Sequence, residues 1–212
     1  DTTRRNGRRC SASVAFLHPV AGRRNLHIVT GVLVAGLITQ GKRVRGVRLS
    51  SPEALDVQAD REVILSAGSI NSPQLLELSG IGQPERLKAL GIDVKHALPG
   101  VGENLRDHYA PRTRWLVGQK GVTYNDTARG LGMVKQALRW AFFNDGLLCS
   151  VGAPMRAFVF SRPGLAAPDL LLGWVPMFTE ATPKGPKIAR TAGFTCYAHA
   201  MRPESKGSRS EE

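Results

Sequence analysis

The side chains best suited to chemistry are thinly spread along this chain. Its five histidines, His18, His27, His96, His108 and His199, are scattered, and none has a partner at an H-x-x-x-H spacing that would hold a metal. Each alone reads as a loop or core histidine. Cys10, Cys149 and Cys196 form no C-x-x-C pair and have no histidine at ligand spacing. They read as buried or incidental thiols in a chain not built on disulfides, which points to a reducing compartment. A G-x-S-x-G elbow is absent, so the commonest hydrolase reading falls away. The G-x-G at Gly100-Val101-Gly102 has Leu105 where a dinucleotide fingerprint wants its third glycine, and it leads into an Asp107-His108 loop. It reads as a structural turn. No catalytic residue and no metal ligand is assigned.

One segment does stand out: Ser66-Ala67-Gly68-Ser69-Ile70-Asn71-Ser72-Pro73-Gln74-Leu75-Leu76-Glu77-Leu78-Ser79-Gly80-Ile81-Gly82. Small residues here join a buried-looking strand, Val57 to Ala67 with Val63-Ile64-Leu65 at its end, to a helix. Ser72 is its expected N-cap, Pro73 its first residue, and Ser79-Gly80 its end. A strand that ends in Ala-Gly before a helix can present backbone donors to a cofactor lying across a sheet edge. An ordinary strand-to-helix turn has the same look, and the residues alone leave both readings open.

The elements that must hold this segment read as follows. A short helix over residues 10–17 stops where Pro19 disfavours helical geometry at His18. Strands follow at Leu26–Thr30, Val32–Thr39 and Val44–Leu49, with Gln40-Gly41-Lys42 turning between the last two. A second short helix runs from Pro84 to Leu90 and stops at Gly91. Composition changes near Tyr109, where we place a domain boundary. Beyond it the pattern predicts a strand at Arg112–Val117 and an amphipathic helix at Gly130–Phe143. Further strands are expected near Ala157–Ser161, Leu170–Val175 and Phe194–Met201, an α+β arrangement. Trp115, Trp140 and Trp174 either fill a core or line a pocket. The polar tail from Glu204 is expected to fray.

Charge is unevenly placed. Of a net charge of +12, residues 1–50 carry ten Arg or Lys against Asp1 alone, and the remaining 162 residues carry +3. Arg4, Arg5, Arg8, Arg9, Arg23 and Arg24 could face phosphates, but no aromatic interleaving, helix-turn-helix or zinc signature accompanies them. A solvated basic surface is the preferred reading, with arginines that once faced an acidic neighbour now missing as another, and no nucleic-acid partner is expected. The longest apolar run, Ile28 to Thr39, is broken by Gly31 and Gly36 and falls short of the ~20 residues of a membrane span. Ser11 to Leu17 imitates a signal sequence but runs into His18-Pro19 without a clear cleavage pattern. A cytoplasmic location is expected, and the opening on Asp1 suggests that the true N-terminus lies elsewhere.

The Gly68–Gly82 stretch resembles the second signature of the glucose-methanol-choline (GMC) oxidoreductases: Gly, a small residue, Ser-Pro, paired aliphatics, then Ser-Gly-aliphatic-Gly. Its flanks, Arg61-Glu62-Val63-Ile64-Leu65-Ser66-Ala67-Gly68 and Leu98-Pro99-Gly100-Val101-Gly102-Glu103-Asn104-Leu105-Arg106-Asp107-His108, are similar to choline-dehydrogenase-like members. Asn25 to Val34 resembles the strand whose backbone meets the FAD adenine, and Arg202-Pro203-Glu204-Ser205-Lys206-Gly207-Ser208 resembles a turn in the family's substrate domain.

The resemblance implies an α/β plus α+β protein. Residues 1–108 would form a partial, Rossmann-like FAD-binding domain, and residues 109–212 part of a substrate domain with a mainly antiparallel sheet. It implies FAD as cofactor, with Val34, Ser66, Ala67 and Gly68 as cofactor-binding residues, and a small-molecule alcohol as substrate. The family's pyrophosphate-gripping G-x-G-x-x-G and its catalytic histidine would lie outside this stretch, and His199 does not match the catalytic position. Two rival expectations are a fragment without flavin or activity, and a basic binding module.

Overall fold

The structure, a computed structural model, describes residues 4–50, 55–149, 154–177, 179–180, 182–185 and 187–208. At its start Asn6 and Gly7 adopt positive φ (50° and 67°), as a type I′ turn demands. They join β1 (Arg4–Arg5) to β2 (Arg8–Arg9) in a small antiparallel hairpin. A π-helical turn at Ser13–Leu17 and a 3-10 turn at His18–Val20 follow. The expected stop at His18 does not occur, because Pro19 falls in the first turn of the second piece, where its missing N–H is not needed. Leu26–Thr30 forms no strand, and Ile28 and Val29 are exposed.

β3 (Leu33–Gln40) and β4 (Arg43–Ser50) make the expected hairpin, closed by Gly41 at φ 57°. β5 (Leu55–Gln58) completes a three-stranded antiparallel sheet. The strand expected to run on to Ala67 ends at Gln58, and Ile64 is 77% exposed because no strand among the described residues pairs with it. α1 (Gly68–Leu78) starts four residues before the expected Ser72 cap and carries Pro73 inside. The amide that proline lacks would have bonded the Ser69 carbonyl, and Ser69 is exposed to water, so the helix tolerates the substitution of solvent for that bond. β6 (Ile81–Gly82) and β7 (His96–Ala97) pair in parallel around α2 (Pro84–Ala89), which ends at Gly91 with φ 71°. β8 (Glu103–Leu105) follows.

The second half is dominated by one antiparallel sheet. β9 (Arg112–Leu116) leads to α3 (Tyr124–Thr127) and α4 (Gly130–Phe143), then β10 (Met155–Val159) and β11 (Leu170–Val175). The small β12 (Thr179–Glu180) and β13 (Lys187–Ile188) pair with each other before β14 (Gly193–Ala200). The four main strands lie in the order β10-β11-β14-β9, all antiparallel. β15 (Gly207–Ser208), in the tail expected to fray, pairs with β8. Residues 209–212 of that tail lie outside the described residues. α4 matches its expected bounds and ends on Asn144 in the left-handed region (φ 51°). Its apolar stripe, Leu131, Val134, Leu138 and Phe142, is 52–88% exposed, the kind of patch that ordinarily meets another surface.

The fold is mixed α/β with antiparallel sheets. Its two compact units are discontinuous in sequence: one combines Asp1–Leu26 with His108–Arg202, the other His27–Asp107 with Pro203–Glu212. A division therefore falls at His108, and residues before His27 and after Arg202 each group with the opposite half of the chain. Among the described residues buried apolar side chains are few, with Leu37, Leu49 and the fully buried Leu87 among them.

Candidate functional site

The four residues expected to meet a cofactor all lie in the unit that spans His27–Asp107. Val34 is half-buried on β3 opposite Leu49, and the register then shifts so that Ala35 is left as a bulge before Gly36 pairs with Arg48. Ser66, Ala67 and Gly68 are exposed at the entrance to α1. Gly68 has φ 88°, and a Cβ built on it would meet nothing within 4 Å. The glycine is required by the backbone conformation, and the space beside it is open. Such a turn, with bare backbone and free space at a helix start, is of the kind that accepts a cofactor's polar edge.

α1 packs on β3, so the turn and Val34 are carried by neighbouring elements. Ser79 fastens them. The Leu37 N–H donates to Ser79 Oγ at 2.8 Å, and the Ser79 hydroxyl donates in turn to the Leu75 carbonyl at 2.5 Å. The signature's glutamate, which residue-type reasoning passed over, is fully buried: Glu77 has no exposed surface and faces Arg86 at 3.3 Å. Arg86 also holds Glu103 at 2.9 Å, and that bond, ahead of the one to Glu77, raises the guanidinium's already high pKa. The triad ties the C-terminal end of α1 to α2 and β8. Arg106 donates to the Pro203 carbonyl at 3.2 Å within the same unit.

A second concentration of functional side chains was not legible from spacing. On the four-stranded sheet, Arg112 pairs with Tyr197, Tyr197 with Gly173 and Gly173 with Arg156, so these four stand in one row on one face. Val175, Thr195 and Arg114 form the next row on that face. A cavity of ≈ 500 Å³ opens there, with His108, Arg112, Arg114, Thr195, Tyr197 and His199 among its walls. The His108 and His199 rings lie 4.6 Å apart, and His199 stacks on Tyr197 with 3° between the rings. His108 Nε2 donates to the Met201 carbonyl at 3.2 Å and His199 Nδ1 to the Ala200 carbonyl at 3.1 Å, because a carbonyl can only accept. The opposite face carries the stacked Trp115 and Phe194.

Two of the N-terminal arginines have partners within their own unit. Arg4 donates to the Cys149 carbonyl at 2.5 Å, and the Arg8 guanidinium sits 5.2 Å from the Trp140 ring centre. The Asn6-Gly7 dipeptide was the available signal for the hairpin that places them. The three cysteines are free thiols. Among the described residues, no group of His, Cys, Asp and Glu could hold a metal ion, and no helix is long and apolar enough to cross a membrane.

A non-strand segment that turns into α1 at an open glycine corner, and an antiparallel sheet with a lined face, make up a mixed α/β architecture. The chain belongs to the GMC oxidoreductase family, which matches residues 1–110. It is 36% identical over 207 residues to an oxygen-dependent choline dehydrogenase of Staphylococcus xylosus, covering 98% of this chain and 36% of that protein. The mitochondrial choline dehydrogenase of Mus musculus is 34% identical over 208 residues, with 98% of this chain and 34% of that one covered. Among solved structures, a formate oxidase of Aspergillus oryzae RIB40 superposes with a TM-score of 0.80 at 26% identity, over 96% of this chain and 39% of that chain. The chain thus spans little more than a third of the relatives it matches.

Proposed function

We propose that this chain is part of an FAD-dependent oxidoreductase that acts on the CH–OH group of a small alcohol, choline-like or otherwise. The observation that carries the proposal is the open, positive-φ corner at Gly68 within the stretch that belongs to the GMC family. The relatives' names support it: two are choline dehydrogenases, and the formate oxidase structure concerns the effect of a mutation on FAD modification.

Under this reading the main chain at Val34 meets the adenine end of FAD, and the Ser66-Ala67-Gly68 corner lets another part of the cofactor approach bare backbone. The corner fits such a group, since a side chain at Gly68 would occupy the space left open. FAD when bound supplies the acceptor for the hydride removed from the alcohol carbon. This chain's own residues bind and orient: Ser79 ties the end of α1 to β3, and the Glu77–Arg86–Glu103 triad ties that end to α2 and β8, so that the helix carrying the corner is held in place. Residues 1–108 supply part of an FAD-binding domain and residues 109–212 part of a substrate domain, with no catalytic residue assigned to either. The location we propose is cytoplasmic.

Because the chain contains no G-x-G-x-x-G, the isolated chain is expected to purify colourless and to oxidise no alcohol. Flavin absorbance is the test. The longer parent should retain FAD through purification, and the 212-residue chain should not. A parent without flavin overturns the cofactor assignment, and a stoichiometric yellow cofactor on the isolated chain overturns its inactivity.

A further inference from the structure

The cavity on the four-stranded sheet has a one-signed lining. Arg112 and Arg114 are two residues apart on β9, so their side chains leave the strand on the same face, ~7 Å from each other along it. Arg156 stands on that face as well, in the row that runs through Gly173 and Tyr197 to Arg112. Other arginines of the chain are committed: Arg48 to Asp56, Arg86 to Glu77 and Glu103, Arg139 to Asp145, and Arg129 to the carbonyls of Ile188 and Ala189. The guanidinium groups of Arg112, Arg114 and Arg156 have no hydrogen-bond or ion-pair partner among the described residues. Among the described residues no carboxylate lines the cavity, whose remaining polar groups are the Tyr197 hydroxyl, Thr179, Thr195 and the two histidines.

Like charges gathered around a concave surface without counter-ions repel one another, and they create a field that draws in an anion. Guanidinium forks match the paired oxygens of a carboxylate or phosphate bidentately, and a half-enclosed cavity strengthens those bonds relative to open water. Its volume of ≈ 500 Å³ suits a small organic molecule. Val175 and Met177 on the wall offer apolar contact for the body of such a ligand. Tyr197 lies over Gly173 and gives the cavity a flat aromatic side.

We propose that this cavity binds a small organic oxyanion, its charged end held by Arg112 and Arg114 and its apolar part against Val175 and Met177. The site disfavours quaternary ammonium compounds, which the same arginines repel. In the flavin-dependent reading it would favour an alcohol that bears an acid group. That extension rests on the proposed function, whereas the binding measurement below does not, so the two can fail separately.

The test is calorimetric titration of the 212-residue chain with benzoate, phenyl phosphate, benzyl alcohol and choline. Benzoate or phenyl phosphate should bind roughly tenfold or more tightly than benzyl alcohol and choline, as expected when charge-assisted hydrogen bonds are made or lost. The Arg112→Gln/Arg114→Gln variant should lose about tenfold in affinity for the anion. Lysine at both positions should restore part of it, since lysine keeps the charge but lacks the fork. The Arg23→Gln/Arg24→Gln variant, altered at exposed arginines away from the cavity, should bind as the wild type does. Choline or benzyl alcohol binding as tightly as benzoate, no binding by either anion, or an anion affinity unchanged in the Arg112→Gln/Arg114→Gln variant would each overturn the proposal.

Discussion

The Tyr197 ring lies over Gly173, its cross-strand partner between β14 and β11, in the place where any side chain at that position would have to go. The glycine is there for its missing Cβ. It lets the tyrosine lie across β11, and the His199 ring runs parallel to the tyrosine ring, with 6.4 Å between centroids. One wall of the cavity is therefore built from a residue that is absent as much as from those that are present.

Gly173→Ala should destabilise the chain by about 1–3 kcal/mol, because the new methyl group meets the ring and the sheet must shift. Tyr197→Ala in the same background should recover part of the loss, since it removes the collision. Urea unfolding of the single and double variants measures both. Additive losses would show that the two residues do not compete for the same space.

Removing the Arg86 guanidinium should cost far more than removing the charge it faces. Arg86→Met leaves the Glu77 carboxylate at zero exposure without that cation, at a cost of about 3–5 kcal/mol. Glu77→Gln keeps the shape without the charge and should cost less. Glu103 is 34% exposed, so Glu103→Gln should cost under about 1 kcal/mol. Denaturant midpoints give the order, and a smaller loss for Arg86→Met than for Glu77→Gln would refute the role assigned to the triad.

Acid should act at the turn between β10 and β11. Asp169 accepts from the Ser161 hydroxyl at 2.6 Å and the Ser161 amide at 2.8 Å, and these bonds hold its pKa below the ordinary carboxylate range. A carboxyl depressed in the folded state adds stability that is full above its unfolded pKa and is lost as pH falls through the folded one. The stability gap between the wild type and Asp169→Asn should therefore close on acidification. A carboxyl NMR titration with a midpoint at or above about 3.9 for Asp169 would contradict this.

Much of the fold could be read from local pattern, because local chemistry sets it. Gly41 closes its hairpin, β11 runs from Leu170 to Val175 as expected, and α4 keeps its expected ends at Gly130 and Phe143. What failed depended on partners. Val63-Ile64-Leu65 has the composition of a buried strand, yet composition cannot say whether a neighbour pairs with it. Ser72-Pro73 looks like a helix start, but Gly68 can turn the chain earlier and the proline is then tolerated inside. The candidate site divides the same way. The Gly68 corner lay in a contiguous signature, whereas Arg112, Arg156 and His199 are joined only by strand order and register.

Gly68→Ala should show the corner's double role. An L-residue held at φ 88° costs about 1–2 kcal/mol, although nothing within 4 Å would clash with the methyl group. Thermal unfolding of the isolated chain reads that strain. In the longer parent the same change should weaken FAD retention, because the methyl group fills space assigned to the cofactor. Unchanged flavin content in Gly68→Ala would remove the corner from the binding site.

The most direct test of the central claim is anaerobic mixing of the longer parent with primary alcohols while flavin absorbance is followed. The account predicts one FAD per polypeptide and bleaching of the flavin by at least one alcohol. A folded parent that carries no flavin, or a bound flavin that no alcohol reduces, would contradict it.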